Sequence, residues 1–157
     1  MKVAIIGAGL IGAKRASALD KSDKLISVCD KNISKAKKLA DIYSANYTDN
    51  FIDVCTTQNI DIAIIAVVNK YAVAIADKML ASNKHILCEK PLGRNTDESN
   101  LILAAAEKSG KIIKTGFNHR FHPAIMKTKK LLENKEIGKI INIRTRYGHG
   151  GRPGMEE

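Results

Sequence analysis

Val3-Ala4-Ile5-Ile6-Gly7-Ala8-Gly9-Leu10-Ile11-Gly12 carries a short apolar run straight into G-x-G-x-x-G. Such a run reads as a strand buried on both faces. A helix-like segment follows at once, to about Leu19, with Ala13, Ala16 and Leu19 on one face. In a strand–turn–helix context each glycine has a mechanical role. Gly7 allows the tight turn, Gly9 lets backbone approach a pyrophosphate, and Gly12 lets the helix pack against the strand. Leu10 and Ile11 complete the loop whose amides, with the positive end of the helix dipole, face such phosphates. Asp30 lies 18 positions beyond Gly12, at the end of the next apolar run (Leu25, Ile26, Val28, Cys29). A carboxylate there accepts from adenosine ribose hydroxyls and repels a 2′-phosphate, which favours NAD over NADP; the nearby Lys31 and Lys35 weigh the other way.

Downstream, strand-like and helix-like stretches alternate, the pattern of a parallel sheet with crossover helices. Asn32 is placed to cap a helix whose Ala36, Leu39, Ala40 and Tyr43 share a face. A short strand is expected near Ala45–Tyr47 and a short helix over Asn50–Thr57. Ile62–Val68 reads as a central strand buried on both faces. Tyr71–Ala81 is helical, and His85–Cys88 is a strand. Thr96 is expected to cap a helix that ends near Gly110, with Asp97 and Glu98 suiting its first turn. Ile112–Thr115 closes the series.

After about Phe117 the character changes. Pro123 suits the first turn of a helix running to about Asn134. Residues Lys139–Tyr147 then alternate, with Ile141, Ile143, Thr145 and Tyr147 facing one way, as in a strand buried on one face only. The expected architecture is α/β. A doubly wound parallel-sheet Rossmann domain over 1–120 leads into the first helix and strand of a truncated α+β domain over 121–157. A lone strand does not form a stable sheet. Beyond about Gly138 the expectation is therefore disorder or self-pairing between chains.

The bulk composition bounds the partners. The chain has 157 residues and a net charge of +10, but its lysines are spread along the whole length and aromatic content is low. The clusters Lys35, Lys37, Lys38 and Lys127, Lys129, Lys130 have the spacing of solvated helix faces. A nucleic-acid partner is therefore not expected, although attraction of anionic ligands is. No run is long enough to span a bilayer, and the N-terminus lacks the anatomy of a signal peptide. The three cysteines, Cys29, Cys55 and Cys88, show no metal-ligand spacing. They read as reduced thiols of a cytoplasmic protein. No metal site is expected.

Cys88-Glu89-Lys90-Pro91-Leu92-Gly93, after a strand in this context, resembles the glucose–fructose oxidoreductase / inositol dehydrogenase (Gfo/Idh/MocA) family. Gly116-Phe117-Asn118-His119-Arg120-Phe121-His122-Pro123 and Ile137-Gly138-Lys139-Ile140 support the resemblance, which covers essentially the whole chain. It implies a two-domain NAD(P)-dependent oxidoreductase of sugars, inositols or nucleotide sugars, with a small-molecule substrate and homo-oligomerisation through the second domain. It places Lys90 beside the nicotinamide and the substrate carbon, where a lysine with its pKa lowered by burial and neighbouring charge holds or relays a hydroxyl proton. Glu89 would orient Lys90 or contact the cofactor ribose or carboxamide. Pro91 fixes the backbone, with a cis peptide expected.

The resemblance further implies cofactor contacts for Asn69 and Asn118, and substrate contacts for Arg120, Tyr147 and His149. The chain departs from the family pattern around Asn69, where Val67, Val68 and Ala72 replace the usual Thr-Pro and histidine. The family's Asp/His catalytic pair would lie beyond residue 157. Two other readings stay open: a stand-alone dinucleotide-binding regulatory or sensor module without catalysis, and a basic surface that binds nucleic acid.

Overall fold

The computed structural model describes residues 1–146 and 148. The chain divides into two compact units, Met1–Phe117 and Asn118–Glu157.

The first unit alternates strand and helix as the sequence pattern requires. Its elements are β1 (Lys2–Ile6), α1 (Leu10–Ser17), β2 (Lys24–Cys29), α2 (Ile33–Ile42), β3 (Asn46–Thr48), α3 (Phe51–Thr56), β4 (Ile62–Ile65), α4 (Asn69–Ala81), β5 (His85–Cys88), α5 (Thr96–Ser109) and β6 (Ile113–Thr115). All six strands pair in parallel, in the order β3-β2-β1-β4-β5-β6. That order reverses between β1 and β4, the switch point at which doubly wound sheets open a ligand crevice.

Alternate residues of β1 serve opposite faces of the sheet. Ala4 and Ile6 join Ala63, Ile65, Ile86 and Cys88 beneath Val54, Met79 and Ile102 of α3, α4 and α5. Val3 and Ile5 join Leu25, Val28 and Ile64 beneath Ala16 of α1 and Ala36 and Leu39 of α2. Burial on both faces explains why the central strands read as continuous apolar runs.

Several boundaries differ from the sequence expectation. β4 stops at Ile65, not Val68. Its ladders with β1 and β5 end at Ile6 and Cys88, so Val67 and Val68 have no strand to pair with, and Val68 instead caps α4. α5 is capped by Asn95, whose side chain accepts from the Glu98 amide at 2.9 Å, and Thr96 is its first helical residue. Gly110 ends that helix in the left-handed region, φ 66°.

The second unit, taken by itself, holds a 3-10 turn (Asn118–Phe121) and α6 (Pro123–Glu133). Pro123 occupies the first helical position, and the His122 side chain accepts from the Ala124 amide at 3.3 Å. The strand expected over Lys139–Tyr147 is not formed across its described residues, 139–146, all of which are exposed. An alternating pattern specifies which face would be buried, but a strand also needs a neighbour to accept its amides. Among the described residues none pairs with this segment.

Candidate functional site

The carboxyl ends of β1, β2 and β4 converge on a cleft of about 440 Å³. Gly7, Gly9, Asp30, Lys31, Asp49, Phe51, Val67, Val68 and Tyr71 are among its walls. Its volume lies in the range of small-molecule and cofactor sites.

The glycine turn is built by close approach. Gly7 has φ 102°, and a Cβ there would stand 2.4 Å from the Ala66 carbonyl oxygen. Its amide donates to the Cys29 carbonyl at 2.7 Å, which ties the turn to the end of β2. A Cβ on Gly12 would stand 1.9 Å from the Gly7 carbonyl oxygen, so α1 packs on the turn only because that atom is missing. A Cβ on Gly9, by contrast, would meet nothing within 4 Å. Gly9 is the N-cap of α1 and contributes no side-chain acceptor, and no acidic residue occupies the first turn. The helix therefore keeps its first-turn amides and positive dipole end available to an anion.

Asp30 links this turn to the next loop. Its Oδ2 accepts from the Ala8 amide at 2.7 Å and its Oδ1 from the Asn32 amide at 2.8 Å. Each carboxylate oxygen accepts two hydrogen bonds, so both retain a lone pair after these contacts. The carboxylate is thus held rigidly and still able to accept from hydroxyl groups. These features fit a dinucleotide: uncapped amides for a pyrophosphate, an open glycine face for its approach, and a fixed acceptor for a ribose diol.

Sequence reasoning passed over Tyr71 as a wall of this cleft. The Lys31 and Lys70 ammonium groups stand 4.5 Å and 5.0 Å from its ring centroid. Hydrogen bonding from Lys70, then the charge of Lys31, holds the Tyr71 phenol below its ordinary pKa. Its position just after the end of β4 is the signal that could have found it, because such loops line ligand crevices in doubly wound sheets.

The remaining expected residues are distributed as follows. Leu10 and Ile11 are exposed at the start of α1. Asn69 is the first residue of α4, next to the cleft wall at Val68. Glu89 and Lys90 follow β5, and the Glu89 amide donates to the Ile65 carbonyl at 2.9 Å. The Lys90–Pro91 bond is cis. Lys90 is exposed, not buried as expected, because it projects beyond the strand end. Glu89 is bound by Arg15 of α1, whose Nε donates to Oε1 at 2.5 Å. Asn118 and Arg120 share the 3-10 turn of the second unit and are exposed. Tyr147 and His149 lie outside the described residues.

Cys29, Cys55 and Cys88 are free thiols, and among the described residues no three His, Cys, Asp or Glu side chains gather as metal ligands. No described helix is long and apolar enough to cross a membrane.

Comparison with known proteins agrees with this geometry. The family described as "Oxidoreductase family, NAD-binding Rossmann fold" (GFO_IDH_MocA) matches residues 1–117. The uncharacterized oxidoreductase YrbE of Bacillus subtilis strain 168 is 34% identical over 137 residues, covering 85% of this chain and 40% of that protein. Inositol 2-dehydrogenase of Salmonella typhimurium strain LT2 is 26% identical over 153 residues, covering 94% of this chain and 46% of that protein. The crystal structure of GenD2 from gentamicin A biosynthesis, in complex with NAD, superposes with TM-score 0.83 at 25% identity, covering 87% of this chain and 40% of that one. The chain thus spans less than half the length of these relatives.

Proposed function

The chain belongs to the Gfo/Idh/MocA oxidoreductase family, with its NAD-binding Rossmann fold, and on that premise we propose that it is the cofactor-binding portion of an NAD-dependent oxidoreductase. The substrate is a sugar, inositol or nucleotide sugar, oxidised or reduced at a hydroxyl-bearing carbon. The observation that carries this reading is Asp30, clamped between the Ala8 and Asn32 amides at the mouth of the cleft with acceptor capacity to spare. A carboxylate so placed suits the 2′- and 3′-hydroxyls of NAD and opposes the 2′-phosphate of NADP.

When bound, NAD supplies the acceptor or donor of the hydride. The amides of Leu10, Ile11 and Gly12 hold the pyrophosphate, and Gly9 leaves room for it. Asn69 and Asn118 add contacts to the cofactor. Lys90, at the carboxyl end of β5, takes or returns the proton of the substrate hydroxyl, and Arg120, Tyr147 and His149 contact the substrate. We place the end of the Rossmann domain near residue 120, and the working protein is a homo-oligomer. Three free thiols suit a reducing compartment, and we assign the protein to the cytoplasm.

Calorimetric titration of this chain with NAD and NADP, beside Asp30→Ala, tests the reading. NAD should bind, NADP should bind more weakly, and Asp30→Ala should narrow the gap. A folded sample that binds neither dinucleotide overturns it.

A further inference from the structure

Arg15 and Glu89 are 74 positions apart and form an ion pair with both side chains largely withdrawn from solvent, 21% and 16% exposed. The guanidinium engages Oε1 through both Nε and Nη2. Gly116, just after β6, closes over the pair. A Cβ there would stand 2.7 Å from Glu89 Oε2 and 3.0 Å from Arg15 Nη2. Three segments therefore meet at one contact: the helix that begins at the glycine turn, the residue before Lys90, and the end of the last strand.

We propose that Arg15 is a positioning residue: through Glu89 it fixes the Lys90 segment to the helix that carries the glycine turn. The two ends of the dinucleotide site then keep a constant spacing. The inference rests on the dinucleotide reading given above. It also gives Glu89 a structural task, since a carboxylate oxygen held by two guanidinium donors orients the backbone that carries it. Partly buried charges depend on their partner, and removing one side leaves the other uncompensated. The planar fork of arginine holds direction as well as charge, which lysine supplies only in part.

The test uses this chain and two probes. NADH reaches both ends of the site, whereas ADP-ribose lacks the nicotinamide. Arg15→Ala should weaken NADH by about tenfold and abolish the rise in nicotinamide emission on binding, while ADP-ribose affinity stays within about twofold. Arg15→Lys should restore part of the loss. In a Glu89→Gln background, Arg15→Ala should cost less than it does in the parent chain. If Arg15→Ala does not fold, Glu89→Gln, which keeps the shape of the side chain, should show the same split between probes. Equal weakening of both probes, or unchanged NADH binding, overturns the proposal. A wild-type chain that binds neither probe removes the dinucleotide reading and the proposal with it, a result distinct from one in which both probes bind and the variants fail to separate them.

Discussion

Asp30 Oδ2 accepts from the Ala8 amide at 2.7 Å, so the carboxylate just after β2 holds the glycine turn just after β1. One side chain thus shapes the turn and, on the proposed dinucleotide reading, would also present the ribose acceptor. Asp30→Asn keeps an oxygen for the Ala8 amide and removes the charge. We expect NAD affinity to fall by about ten- to a hundredfold, the worth of a charge-assisted hydrogen bond. NADP should lose less or gain. Parallel titrations of the two cofactors check this, and an unchanged ratio would contradict it.

The glycines of the turn separate folding from binding. Gly12→Ala puts a Cβ 1.9 Å from the Gly7 carbonyl oxygen and should cost about 3 kcal/mol in urea denaturation. Gly9→Ala meets nothing within 4 Å and should cost about 1 kcal/mol or less. Its effect should fall on ligand affinity, because the added methyl occupies the face a pyrophosphate would approach. A Gly9→Ala chain that binds NAD normally would contradict that placement.

Alkaline stability should report the buried thiols. Burial pushes Cys29 up to about 12 and Cys88 up to about 11, from an ordinary 9.0, with Asp30 adding to the first and Glu89 to the second. In the unfolded chain both ionise near 9.0, whereas the folded chain keeps its protons. Their contribution is therefore complete below pH 9.0 and is lost as pH rises toward the folded values. The loss is about 1.4 kcal/mol per pH unit per thiol. Lys84, whose pKa burial lowers from 10.5, works in the opposite sense, gaining stability with pH until the unfolded lysine also deprotonates. Denaturation midpoints from pH 8 to 10.5 should fall less steeply in Cys29→Ala than in the parent chain. Equal slopes would show that Cys29 does not hold its proton.

The cap of α5 gives a local test. Asn95→Ala removes the acceptor of the Glu98 amide and should cost about 1 kcal/mol. Thr96→Ala should be nearly neutral, since Thr96 is already helical. The reverse order would restore Thr96 as the cap.

Legibility in the sequence followed the range of the interactions. Gly7, Gly9, Gly12 and Asp30 were readable because strand, turn and helix impose fixed spacings on one another. The alternation of Val3, Ala4, Ile5 and Ile6 between two cores was readable as an unbroken apolar run. The end of β4 was not, because Val67 and Val68 are as apolar as the strand before them and only the lengths of β1 and β5 stop the ladder. Asn95 and Thr96 are adjacent residues of good capping type, and only backbone geometry chooses between them. The Arg15–Glu89 contact has no local pattern at all, since the sheet order alone brings these residues together. Residues 139–146 show the converse failure: a strand-like pattern was legible, but pairing depends on a neighbour that the pattern does not supply.

The central claim, that a dinucleotide lies across the glycine turn with its ribose at Asp30, is tested most directly by titrating NAD into the isotope-labelled chain and following its backbone amides by NMR. We expect the largest shifts at Gly9, Leu10, Ile11 and Gly12, with a second group at Asp30 and Lys31. Shifts that avoid the turn, or a spectrum that NAD leaves unchanged while the chain is folded, would contradict the account.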